Sequence, residues 1–295
     1  MMSESEVADG SGDGRVAGVR VGDRDYRGLV GPASQYDLMG AAQFSLLYAL
    51  GIRATDRLLD IGCGSLRAGR LFIAYLDPGG YTGIEPNKWL VDEAVGQQIG
   101  HDALAIKTPV FVHNDQFDVT GLGAFEFVLA NSIASHTGPA MMTALLRSIR
   151  QALAPNGIAA VTFCHSLGKD NTAEGWFYPK SVSGGPGTVS YRRQTIGRNV
   201  RAAGLKGEPI PWFHPRQTWW LLVPEESELP PRAFRRLAWG ISLSPQLAQS
   251  WSPAFRAERR LKASVLELLP QSVRTAATGI RGAVSGSSPT RRARN

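Results

Sequence analysis

A chain of 295 residues with 43% apolar side chains can build one large domain with a sizeable core and appendages. Its two cysteines, Cys63 and Cys164, exclude a disulfide framework and suit a reducing compartment. No run of about 18 apolar residues is present to span a bilayer, and the acidic, polar start Met-Met-Ser-Glu-Ser-Glu does not read as a signal peptide. The net charge of +7 is unevenly spread: residues 229–295 hold 12 Lys/Arg against 2 Asp/Glu, while the rest of the chain holds 20 against 23. The basic character therefore belongs to the tail, whose expected partner is anionic.

Residues 1–22 are rich in Gly, Ser, Asp and Glu and are expected to be disordered. Within residues 26–52, Leu38, Phe44, Leu47 and Leu50 recur at helical spacing and Gly51 can serve as C-cap, which predicts a helix just ahead of the first strand. A strand at 57–61 follows, built on Leu58, Leu59 and Ile61. Gly62 and Gly64 then turn the chain into an apolar-periodic helix at 66–76. Further strands are expected at 81–85, 109–113, 125–131 and 157–164, with helices at 88–98 and 139–153 between them. Asn87 is placed to cap the first of these helices. Alternating strands and helices of this kind predict an α/β doubly wound sheet that binds its ligand at the carboxyl ends of the strands.

Residues 165–189 form a long polar connection carrying Trp176, Phe177 and Tyr178, either a lid over a substrate or a loop packed on the body. A helix at 190–203 closes at Gly204, and a last strand runs over 217–223. Ser252-Pro253 starts a basic amphipathic helix reaching about Leu269, which suits either an anionic membrane surface or packing against the body. The domain plan is thus a disordered tail (1–22), a catalytic domain (23–228) and a basic helical extension with a disordered end (229–295).

The glycine turn can serve two kinds of ligand. A dinucleotide fingerprint needs G-x-G-x-x-G, and Arg67 stands at its last position. Asp60-Ile-Gly-Cys-Gly instead resembles motif I of class I S-adenosylmethionine-dependent methyltransferases, of bacterial small-molecule type, with Leu66 where a third glycine often stands. The resemblance covers roughly residues 36–224. It implies a Rossmann-like seven-stranded sheet, mostly parallel with an antiparallel last hairpin strand, and S-adenosylmethionine as cofactor. Asp60, Gly62, Cys63 and Gly64 would line the cofactor, and Glu85 would accept from the ribose hydroxyls. Asp115, with Asn114 as the substitute, would meet the adenine amino group, although this pair also favours an Asx turn. Asn131 and Ser132 would lie beside the methionine and the substrate. Tyr36 and Met39 would belong to an N-terminal lid helix or, equally, to a docking contact. Arg67 could pair with the cofactor carboxylate.

In that family the methyl group moves by in-line displacement, so the protein positions the acceptor and excludes water. A hydroxyl acceptor benefits from a base, and of five histidines His136 and His165 follow the fourth and fifth strands at the binding edge. No Asn-Pro-Pro-Tyr follows the fourth strand, Cys164 lacks a Pro-Cys setting, and no Asp-Asn metal pair is evident. The leading expectation is therefore a small-molecule or saccharide hydroxyl as acceptor, without metal. A second is an RNA or protein acceptor with the tail as docking arm, and a third is a non-catalytic interaction protein. A cytoplasmic location follows from the expected reducing compartment, with the tail able to reach the inner face of a membrane.

Overall fold

The computed structural model describes residues 24–177 and 187–230. The expected tails, the helix at 252–269 and Tyr178 lie outside the described residues. Among the described residues no helix is long and apolar enough to cross a membrane.

Two short 3-10 helices, Arg24–Val30 and Ala33–Gln35, lead into α1 (Tyr36–Ala49). The body follows as β1 (Leu58–Ile61), α2 (Gly69–Tyr75), β2 (Tyr81–Ile84), α3 (Lys88–Ala94), α4 (His101–Lys107), β3 (Val110–Val112), β4 (Phe125–Ala130), α5 (Pro139–Ala152) and β5 (Leu153–Phe163). After β6 (His165–Ser166) and β7 (Tyr191–Arg192) come α6 (Arg193–Ala202), β8 (Leu205–Ile210) and β9 (Thr218–Pro224).

Seven strands form one sheet in the order β3-β2-β1-β4-β5-β9-β8. All neighbours from β3 to β5 are parallel, and β9 runs antiparallel to both β5 and β8. The strand order reverses between β1 and β4, and the crevice outside the carboxyl ends there is where such sheets take a ligand. Because β9 is antiparallel, its amino end at Thr218, paired with Phe163, opens onto the same edge. Every residue of β1 and β2 is buried, as expected of central strands covered on both faces. Alternation distributes β9 between two cores. Trp219 and Leu221 join Leu47, Phe72 and Leu90 on one face, and Trp220 and Leu222 join Met142, Leu145 and Ile196 on the other.

Several elements depart from the expected spans for local reasons. The stripe that α1 buries is Tyr36, Met39, Gly40, Gln43, Leu46 and Leu47, while Leu38 is exposed. The helix after β1 starts at Gly69 rather than 66, because Leu66 sits in the left-handed region with φ 55°. Helix α3 ends in a π-helical turn, Val95–Ile99, stopped by Gly100 at φ 83°. The sequence reading missed α4, which buries no residue and so carries no apolar stripe. It also did not locate β8, whose Gly207 and Pro209 weaken a strand signal; proline is tolerated there because β8 is an edge strand.

Candidate functional site

The crevice is built from the glycine turn upward. Gly62 and Gly64 have φ of 72° and 54°, and both give their second face to side chains. A Cβ on Gly62 would lie 2.0 Å from Ile133 Cδ1, and one on Gly64 would lie 2.5 Å from Val30 Cγ1. Cys63 Sγ packs on Gly83 of β2, where a Cβ would approach it to 2.8 Å. Asp60 is buried in β1 and accepts a 2.8 Å hydrogen bond from the Tyr81 hydroxyl. Burial, with Glu85 nearby, pushes its carboxyl up to about 7 against the pull of Tyr81 and Arg67.

Glu85 stands at the end of β2, buried at 7% exposure. Its Oε2 accepts the Gly64 N–H at 3.1 Å, and its Oε1 accepts from the Asn87 N–H at 3.0 Å and the Asn87 amide at 2.7 Å. Asn87 occupies the N-cap position of α3, but its side chain is turned to Glu85 instead of capping the helix. Burial raises the Glu85 carboxyl, opposed by these hydrogen bonds. A carboxylate has about four lone-pair sites; three are taken by these donors, so one acceptor site remains, on Oε2.

The N-terminal segment lies against this turn. Tyr36 is buried, its hydroxyl donates to the Ser65 carbonyl, and its ring lies 5.3 Å from both the Arg27 and the Arg70 guanidinium carbons. Gln98 donates to the same hydroxyl at 2.8 Å. Gly40 packs on the Arg67 carbonyl, and Arg67 Nη1 donates 2.6 Å to the Val30 carbonyl. Met39 is buried on the same stripe of α1. Tyr36 therefore fastens the segment to the turn, and its polar atom is engaged within the protein.

At the end of β3, Asn114 is committed to the backbone. Its Oδ1 accepts from the Gln116 and Asp118 N–H groups and its amide donates to the Asp118 carbonyl, which is the Asx-turn alternative. Asp115 is exposed and accepts from Gln116 through one oxygen.

Beyond β4, Ser132 takes a φ of 64°, a conformation that non-glycine residues rarely adopt and that tends to mark functional turns. Its N–H donates to Thr162 Oγ1 at 2.7 Å, and its Oγ accepts from Gln217 Nε2 at 2.9 Å. Asn131 is buried with Oδ1 on the Thr162 hydroxyl at 3.4 Å. The network joins the ends of β4, β5 and β9.

The two candidate bases have different neighbours. His136 shares a 2.7 Å contact between Nδ1 and the Phe177 carbonyl, and the Phe177 N–H returns to the His136 carbonyl at 2.8 Å. Burial and the charge of Arg216 hold its pKa below the usual histidine value, so it is neutral near pH 7. His165 accepts the Trp220 indole N–H through Nε2 at 2.9 Å, which occupies that lone pair, and its own pKa is lowered by burial and Arg193. The first part of the long connection is packed on the body: Trp176 bridges Thr137, and its ring lies 5.5 Å from Phe117.

Sequence reasoning undervalued the segment before β9. His214 is buried, and its Nδ1 accepts the N–H groups of Arg216 at 3.2 Å and Gln217 at 2.9 Å. Burial, with Arg67 and Arg216 facing it, pushes its pKa down to about 3. The available signal was His214, Arg216 and Gln217 gathered at the amino end of a strand that must run antiparallel to reach the binding edge.

Four buried polar atoms among the described residues have no partner in this neighbourhood: Arg67 Nε, Gln98 Oε1, Asn131 Nδ2 and Gln217 Oε1. Buried polar groups are normally satisfied. Together with the buried Glu85 acceptor and the two positive-φ glycines, they fit a polar, nucleoside-bearing ligand such as S-adenosylmethionine. Among the described residues no cluster of three or more His, Cys, Asp or Glu side chains is arranged to hold a metal ion.

Residues 59–159 match a family model described as a methyltransferase domain. No curated protein matches the sequence. Among solved structures, the chain is similar to a DhpI–SAH complex, with 17% identity over 70% of this chain and 91% of that one at a TM-score of 0.48. It is likewise similar to magnesium protoporphyrin IX methyltransferase (ChlM) from Synechocystis PCC 6803 with bound SAH, at 16% identity, 65% and 84% coverage and a TM-score of 0.47. A third is the CcbJ methyltransferase from Streptomyces caelestis, at 16% identity, 67% and 92% coverage and a TM-score of 0.48.

Proposed function

We propose that this chain, whose residues 59–159 match a methyltransferase domain, is an S-adenosylmethionine-dependent enzyme that moves a methyl group to a hydroxyl of a small molecule or saccharide. When bound, S-adenosylmethionine supplies a methyl group already activated by a positively charged sulfur. The chain's residues then have to bind, orient and keep water out. Glu85 would hold the ribose hydroxyls, Asp115 the adenine amino group and Arg67 the cofactor carboxylate. Asn131 and Ser132 would border the reacting end, and Gly62, Cys63 and Gly64 would line the turn beside the cofactor.

The observation that carries the small-acceptor reading is the N-terminal segment laid on the glycine turn. Val30 rests on Gly64, Arg67 bonds the Val30 carbonyl and Tyr36 bonds the Ser65 carbonyl. A crevice closed on that side suits a small acceptor better than a polymer. His136 supports a hydroxyl acceptor: the Phe177 carbonyl holds its Nδ1, and burial with the charge of Arg216 lowers its pKa against the pull of the Phe177 and Gly187 carbonyls. His165 is the weaker candidate, because Trp220 already occupies its Nε2.

A second reading, methylation of RNA or protein, is supported by the charge of residues 229–295, 12 Lys/Arg against 2 Asp/Glu. Incubating the full chain with labelled S-adenosylmethionine and fractionated lysate distinguishes the two. Label in the small-molecule fraction is expected. Label in RNA or protein that disappears when 229–295 are deleted would replace the first reading with the second.

A further inference from the structure

Arg67 and Arg216 approach one point from opposite elements. A Cβ built on Gly31 would lie 3.5 Å from Nη1 of Arg67 and 3.7 Å from Nη2 of Arg216. Neither guanidinium has a carboxylate partner among the described residues. Arg67 spends Nη1 on the Val30 carbonyl, and its Nε is buried without a partner. The carboxyl whose charge Arg67 feels, Asp60, is bonded to Tyr81. Arg216 is exposed, and its side chain makes no hydrogen bond or ion pair among the described residues.

Two guanidinium groups directed at one place repel each other unless anions lie between them. The proposed cofactor brings a single carboxylate, and its sulfonium and amino groups add positive charge. A second anion on the Arg216 side would offset that positive charge. The two arginines also differ in position. Arg67 follows the glycine turn of β1, beside the proposed cofactor. Arg216 precedes β9, and its charge reaches His136 after β4 and Cys164 after β5. That is the side where an acceptor must lie. His214 fixes this segment by accepting the Arg216 and Gln217 N–H groups.

We propose that Arg216 binds an anionic oxo group, a carboxylate or a phosphate, carried by the methyl acceptor, with His214 as its positioning residue. The inference rests on the small-acceptor reading and names its substrate class. A guanidinium suits such a group because its planar fork can donate two parallel hydrogen bonds.

The test uses the full chain saturated with S-adenosylhomocysteine, which fills the cofactor side, and titrates inorganic phosphate by calorimetry. Phosphate is expected to bind, and R216Q to weaken it at least tenfold while S-adenosylhomocysteine affinity stays within twofold. R67Q should do the reverse, weakening the cofactor product at least tenfold. Thermal melting of each variant checks folding, and R216K, which keeps the charge, should recover part of the phosphate affinity. Unchanged phosphate affinity in R216Q would overturn the proposal. So would an R216Q loss of S-adenosylhomocysteine affinity as large as that of R67Q, which would give Arg216 to the cofactor. A protein that fails to bind S-adenosylhomocysteine at all would remove the methyl-transfer reading itself.

Discussion

Glu85 accepts the backbone N–H of Gly64 across 3.1 Å, tying the end of β2 to the turn that follows β1. The same carboxylate receives both donors of Asn87, so all of its internal partners are donors. E85Q keeps the shape but sets an amide NH2 against one of these N–H groups. An unsatisfied buried group costs about 1–3 kcal/mol. The expected result is a loss of about 1–2 kcal/mol in urea-induced unfolding and at least a tenfold drop in S-adenosylhomocysteine affinity by calorimetry. Unchanged affinity would show that Glu85 only shapes the turn.

Leu66 combines a left-handed backbone, φ 55°, with a side chain at 0% exposure. The left-handed conformation costs a non-glycine residue about 1–2 kcal/mol. Truncating a buried leucine costs about 2–5 kcal/mol. The second effect is the larger, so L66G should be less stable by about 1–3 kcal/mol although it relieves the backbone. Its affinity for S-adenosylhomocysteine should stay within threefold of the parent, because the side chain packs into the core and not over the turn. A more stable L66G would show that backbone strain dominates.

This position shows what the sequence could and could not convey. Leu66 was recognisable as standing where a glycine is often found, but a leucine can be read only as an apolar helix residue, so the helix was expected three residues early. The buried central strands were legible because β1 and β2 must be apolar on both faces, and Glu85 was legible because a strand end fixes its place. Helix α4 was not, since a seven-residue surface helix that only partly buries Leu104 against the core leaves no readable periodicity. The convergence of Arg67 and Arg216 was also hidden: they are far apart in sequence and meet only through the antiparallel return of β9. Asn87 looked like a helix cap because residue type cannot reveal that Glu85 competes for its amide.

His214 should give the fold an acid-sensitive limb. Its pKa is pushed down to about 3, so the folded state holds it neutral while the unfolded chain protonates it near 6.5. Stability is therefore full above about pH 6.5 and is lost as pH falls toward 3. H214N keeps an acceptor close to the position of Nδ1 for the Arg216 and Gln217 N–H groups and removes the titration. The stability difference between H214N and the parent, from urea melts at pH 7.5 and pH 4.5, should shift by about 1–3 kcal/mol in favour of H214N at the lower pH. A pH-independent difference would mean that His214 titrates normally.

Asp60 should act in the opposite direction. Burial raises its carboxyl to about 7 in the folded state, against about 3.8 in the unfolded chain. The folded protein then binds a proton more tightly than the unfolded chain. The favourable contribution is present below about pH 4 and is lost as pH rises through 7. In the parent this decline overlaps the gain from His214, so a single pH–stability curve hides both. D60N separates them: its amide oxygen can still accept from Tyr81, and it carries no charge to desolvate. From pH 4 to pH 8 the stability of D60N relative to the parent should rise by about 2–4 kcal/mol. A flat difference would place the Asp60 carboxyl near its ordinary value, and the hydrogen bond from Tyr81 would then outweigh the burial that raises it.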